Sequence, residues 1–208
     1  MQVNENVAFV GHTLAPLFLN DPSRGAVDAL IAAMGSLELP AAAEEWPFCD
    51  NNAAYGALSA LKEGAQGGID DELVREYRRL FVGPGTKPCP PWGSVYTDSE
   101  CVIFGESTLA LRFWMRQHGI ERLGDEATPE DHIGLMLELM AWISKEKPEL
   151  LDEYLREHLL TWSSHFLGQL EEAANHPFYR GLASIAKLSL EGIQEELKLE
   201  VTYPRYFR

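Results

Sequence analysis

Few residues of this 208-residue chain could do chemistry, and the most suggestive pair is adjacent. The segment "PEDH" at 129–132 sets Asp131 beside His132. An aspartate can orient an imidazole for general-base work, provided a nucleophile and a converging acid stand close by. The same residues also suit the start of a helix. Thr128 can cap, Pro129 fits the first helical position, and Asp131 completes a capping box. A protonated histidine is disfavoured there, so His132 would stay neutral. Spacing alone favours the capping role, and both roles stay open. His158 and His165 stand seven apart, with Glu157 adjoining the first. Metal-binding helices place ligands three or four apart with a third group converging, so this pair reads as two histidines on an amphipathic helix. Cys49, Cys89 and Cys101 are scattered without a C-x-x-C, which fits a reducing compartment rather than a disulfide framework or zinc ribbon. "GPGTK" at 83–87 has the outline of a phosphate loop, but Pro84 lacks the amide donor that job needs, and no complete phosphate-binding motif is present. No G-x-S-x-G nucleophile elbow occurs either. These residues imply no metal and no cofactor.

One further stretch could recognise rather than react. "FVGPGTKPCPPWGSVYTDSE", residues 81–100, gathers four prolines, three glycines and the rings of Trp92 and Tyr96 with almost no charge. Loops face water and are ordinarily polar. A long irregular segment of this composition is expected to bind something or to pack against something.

The elements that must position these residues are helical throughout. Val3, Val7, Val10, Leu14, Leu17 and Phe18 recur at helical spacing over 3–19, and Val27, Leu30, Ile31 and Met34 do so over 23–37. "LPAAAEEWPFCDNN" reads as a break before a short helix near 52–63. Asp70 caps a helix carrying Leu73, Tyr77, Leu80 and Phe81, a stripe that reads first as core and second as contact surface. A helix runs from Ser107 to a stop at Gly119. "TPEDHIGLMLELMAWISKEK" is apolar on nearly every side, which predicts a central buried helix. Pro148 opens a long helical stretch to about Asn175, broken near Thr161, and Pro177 opens the last helix, to about Leu199. With no alternating segments and no internal repeat, the expectation is an all-α, single-domain bundle over residues 1–208, of about eight to ten helices around the central one.

Composition narrows the partners. The chain is 46% hydrophobic and 24% charged, as ordinary globular proteins are. It holds no apolar run long enough to span a membrane, and its first twenty residues lack a basic region and carry Glu5, so a cytoplasmic protein is expected. The formal charge of −15 repels nucleic acid and favours a cationic partner. Residues 121–157 alone hold eleven acidic residues against four basic.

The ordered segments "REYRRLFVGP" (75–84), "PCPPWGSVYTDSECVIFGESTLALRFWMR" (88–116), "TPEDHIGLMLELMAWI" (128–143), "HLLTWSSHFL" (158–167) and "NHPFYRGLASIAKL" (175–188) resemble the TorD/DmsD family, and within it the DmsD branch. The ending "YPRYFR" resembles that branch too. The resemblance implies an all-helical cytoplasmic chaperone, not an enzyme, that binds the twin-arginine signal peptide of a molybdenum-cofactor oxidoreductase of dimethyl-sulfoxide-reductase type. It would hold that client for cofactor insertion before Tat export. It implies a monomer or a domain-swapped dimer, with the client's folding body and Tat translocon components as further contacts. Carried over residue by residue, the signal-peptide groove comprises Tyr77, Leu80, Phe81, Pro91, Trp92, Gly93, Ser94, Asp131 and His132. Tyr77 and Tyr96 stand where relatives often have tryptophan, and Thr128 replaces a glutamate. The rival expectations are a small nucleotide-using or hydrolytic enzyme built on Asp131 and His132, and an adaptor for a different client.

Overall fold

The computed structural model describes residues 2–83, 85–121 and 128–208. Pro84 of the proline-rich loop, and Arg122, Asp125 and Glu126 of the acidic stretch, lie outside the described residues. Among the described residues there are eleven α-helices and no β-strand. The first four are α1 (Gln2–Leu19), α2 (Asp28–Gly35), α3 (Leu39–Glu45) and α4 (Asn51–Ala65). Next come α5 (Asp71–Tyr77), α6 (Ser94–Thr97), α7 (Glu106–Gln117) and α8 (Ile133–Glu146). The last are α9 (Leu151–Tyr154), α10 (Ser163–Ala173) and α11 (Pro177–Glu196).

The buried helix is α8, as its composition requires. Ile133, Leu137, Met140 and Ile143 are wholly buried, Trp142 is half-buried, and Glu138 and the basic-acidic end at Lys145 and Glu146 are exposed. Each such aliphatic side chain removed from water contributes about 1.5–3 kcal/mol. The helix packs chiefly against α1, while α11 packs against α4 and α10. One hydrophobic cluster runs through all of them, from Val7 to Ile193.

Helix starts follow local chemistry. The Asp70 carboxylate accepts from the amides of Glu72 and Leu73, so α5 begins where expected. Gly119 adopts the left-handed φ of +61° that ends the run of α7. Other boundaries differ from expectation. The segment read as a break contains α3, because Pro40 falls in the first turn, where its missing amide costs nothing. The helix expected over 23–37 is divided: Pro22–Arg24 form a 3-10 turn, Gly25 turns left-handed, and α2 starts only at Asp28.

Two π-helical turns interrupt the bundle, at Arg78–Val82 after α5 and at Leu155–Leu159 after α9. Each widens one helical turn and so redirects the side chains beyond it. The first leads into the proline-rich loop, and the second carries Glu157 and His158. No helix is long and apolar enough to cross a membrane among the described residues.

Candidate functional site

The proline-rich loop is fastened to the start of α8. Trp92 and His132 form an isolated antiparallel bridge, the Gly93 amide donates to the Asp131 carbonyl (3.1 Å), and the Ile133 amide donates to the Pro91 carbonyl (2.8 Å). The Asp131 side chain completes the attachment, its Oδ2 accepting from the Ser94 amide at 2.7 Å. That contact joins residues 37 apart in the chain, which spacing could not show. It corrects the capping-box reading: α8 begins at Ile133, and its N-cap is His132, whose Nδ1 accepts from the Gly134 amide at 3.1 Å. Thr128 and Pro129 lie before the helix, in a turn closed by the His132 amide on the Pro129 carbonyl.

Burial sets the charge states. It pushes the Asp131 carboxyl above the usual carboxylate range, and the Ser94 amide, with the Ser94 and Thr108 hydroxyls beside it, draws it part of the way back. Neither hydroxyl reaches Oδ1 with hydrogen-bond geometry, so that oxygen is buried without a partner. Burial also holds His132 down to about 3, so its ring is neutral and acts as an acceptor at the helix start. Asp131 and His132 thus bond to two different backbone amides rather than forming an acid–base pair.

Of the nine residues expected in a groove, the structure brings six together: Pro91, Trp92, Gly93, Ser94, Asp131 and His132. Tyr77, Leu80 and Phe81 are elsewhere, buried in the core. The Phe81 ring packs on Phe18 (5.9 Å) and Tyr179 (5.9 Å), and the Tyr77 hydroxyl donates to the Phe18 carbonyl. In this structure they support the π turn that launches the loop. Trp92 is half-buried rather than displayed, with its ring edge-to-face on His132 (5.8 Å) and the Lys87 ammonium 5.6 Å above it.

The open space lies on the other side of the loop. A cavity of about 420 Å³ is lined by Gly93 and Asp131 and also by residues the sequence did not assign to a binding site. Glu106 and Ser107 come from the start of α7, Glu157 and His158 from the second π turn, and Trp162 from the break before α10. Its lining carries the carboxylates of Glu106, Asp131 and Glu157 and, among the described residues, no lysine or arginine. Its floor is apolar, formed by Leu111, Met136 and Trp162. Gly93 must lack a side chain, since a Cβ there would stand 2.7 Å from the Trp162 Nε1. Burial holds His158 down to about 4, and its Nε2 is buried without a partner. The segment after α11 closes one wall with Thr202 and Pro204. It is tied down by the Tyr206 hydroxyl on the Thr161 carbonyl (2.8 Å), the Phe207 amide on the Tyr96 carbonyl (2.9 Å), and stacking of Tyr206 on His165 (4.1 Å). Among the described residues no group of three or more His, Cys, Asp or Glu side chains is placed to hold a metal ion.

The chain belongs to the TorD/DmsD family: the family model described as nitrate reductase delta subunit matches residues 50–168. It is 36% identical over 205 residues to the Tat proofreading chaperone DmsD of Salmonella typhimurium, covering 98% of this chain and 97% of that one. It is 37% identical over 204 residues to a DmsD of Haemophilus influenzae, covering 98% of both. A crystal structure of a protein assigned to redox enzyme maturation, from Archaeoglobus fulgidus, superposes with a TM-score of 0.55 at 20% identity, over 92% of this chain and 94% of that one, and shares the fold. The family is one of chaperones, not enzymes, which sets aside the hydrolytic reading of Asp131 and His132.

Proposed function

We propose that this chaperone binds the twin-arginine leader of a molybdenum-cofactor oxidoreductase of the dimethyl-sulfoxide-reductase type and holds it in the cytoplasm until the cofactor is in place and Tat export can proceed. The observation that carries the reading is the acidic lining of the cavity, where Asp131, Glu106 and Glu157 stand with no lysine or arginine among the described lining residues. Carboxylates around one cavity favour a cation, and a guanidinium supplies several donors in a planar fork that matches them. The apolar floor suits the methylene stem of an arginine, which packs while its head stays polar. Pro91, Trp92, Gly93, Ser94 and His132 hold the frame: their backbone bonds fix Asp131 before any ligand arrives, so little ordering entropy is lost on binding. The names of the DmsD relatives support the choice of client class.

Calorimetric titration with a synthetic leader tests the reading. A peptide with two consecutive arginines should bind, and one with both replaced by glutamine should bind far more weakly. Equal binding of the two peptides would remove the guanidinium from the account, and no binding of either would remove the leader.

A further inference from the structure

Beside the cavity, the surface is unusually apolar. Val102, Ile103 and Phe104 in the loop before α7 are exposed, as are Leu109 and Phe113 one helical turn apart on α7, at 53% and 57%. Single exposed apolar residues are ordinary, whereas five neighbouring large ones mark an interaction surface. The strip is held in place. Phe104 has a φ of +66°, a backbone state that bulky residues rarely adopt, and its ring lies 5.8 Å from the Arg112 guanidinium. Arg112 is in turn fixed to Glu130 by two hydrogen bonds of 2.9 and 2.7 Å.

The helical repeat puts the strip in register with the cavity. At 100° per residue, Leu109 and Phe113 fall on the side of α7 that adjoins Glu106 and Ala110, and those two line the cavity mouth. Glu106 also borders a second cavity of about 440 Å³, shared with Asp98, Glu100, Val102 and Phe207. An acidic mouth and an apolar strip therefore share one edge. A segment that is cationic at one end and apolar beyond it is complementary to both, in that order.

We infer that Ile103, Phe104, Leu109 and Phe113 seat the apolar segment of the leader while its arginines occupy the cavity. The inference rests on the proposed function above and adds to it the surface that reads the second half of the leader. From Glu106 to Phe113 the helix rises roughly 10 Å, the length of about two turns of a bound helical segment.

The test uses fluorescence anisotropy with two synthetic peptides. One carries an arginine pair followed by an apolar stretch of about 12 residues; in the other, serine and asparagine replace that stretch. The variant is Leu109→Ser with Phe113→Ser, which leaves the buried Leu111, Trp114 and Met115 of the same helix untouched, and a thermal melt checks its fold. The variant is expected to bind the first peptide about ten- to hundredfold more weakly, the scale for two large side chains losing their burial. Its affinity for the second peptide should be unchanged. Wild-type affinity of the variant for the first peptide would overturn the seat while leaving leader binding intact, as would an equal loss on both peptides. A wild-type dimer in sedimentation that the variant dissociates, with binding unaltered, would reassign the strip to a second copy of the chain. If the wild-type protein binds neither peptide, the functional reading fails and the seat fails with it.

Discussion

Replacing Asp131 by asparagine separates what its charge does from what its shape does. The amide oxygen can accept from the Ser94 amide as Oδ2 does now, at 2.7 Å, so the attachment of the loop to α8 survives. The charge is a liability to the fold. Because burial raises the carboxyl above the value of about 3.9 it has in an unfolded chain, its contribution to stability is whole below that pH and is lost as pH rises through the folded value. At pH 7, Asp131→Asn should therefore melt at the same temperature as the wild type or a few degrees higher. Binding should move the other way. A charge-assisted hydrogen bond contributes about 1.5–3 kcal/mol where a neutral one contributes about 1, so the loss is about 0.5–2 kcal/mol, or two- to thirtyfold in affinity. Circular dichroism melts and calorimetry with the arginine-pair peptide measure both on one preparation. Wild-type affinity should also decline as pH falls through the raised carboxyl range, and the variant should not share that decline. A variant that melts well below wild type yet binds normally would refute the reasoning, because Asp131 would then serve the fold alone.

Three other perturbations follow from the same contacts. His132 is held down to about 3 against an unfolded value near 6.5, so stability should be full above pH 6.5 and fall toward pH 3, by up to about 5 kcal/mol. His132→Asn retains an acceptor for the Gly134 amide and should flatten much of that limb in denaturant titrations, with His158 accounting for part of the remainder. Trp92→Ala should cost about 2–3 kcal/mol of stability, because the ring is half-buried against His132 and the core, and thermal melts should show a drop of several degrees. An unshifted midpoint would mean the loop holds without its ring. Leader affinity should fall steeply between low and high salt, since the Glu106 and Glu157 carboxylates stand at an open mouth where screening acts over about 10 Å at 0.1 M; a flat response would remove their part in binding.

The helices were legible because their signals are local: the apolar run of α8, the Asp70 cap, the Gly119 stop. The site was legible only as far as contiguous segments go. Proline-rich composition marked 81–100 and the "PEDH" segment marked 131–132, but their joining through Ser94 and Asp131 is a tertiary fact. The stripe Tyr77, Leu80, Phe81 carried its own correct signal, since helical spacing marks a core face; the groove role came from resemblance alone. Glu106 and Glu157 carried no signal beyond charge. Trp162 lay inside a quoted segment, "HLLTWSSHFL", yet nothing in its spacing indicated that its indole would lie against Gly93.

The wall formed by Thr202 and Pro204 bears on synthesis. Domains fold as the ribosome delivers them, from the N-terminal side onward. The cavity draws on residues 93–111, 131–136, 157–162 and 202–204, so it cannot close until nearly the whole described chain has emerged. On the reading proposed above, a nascent chaperone would have no finished receptor to offer a leader emerging beside it. Capture would then begin only once the chaperone's own folding is complete, which would keep half-made molecules from occupying clients they could not protect.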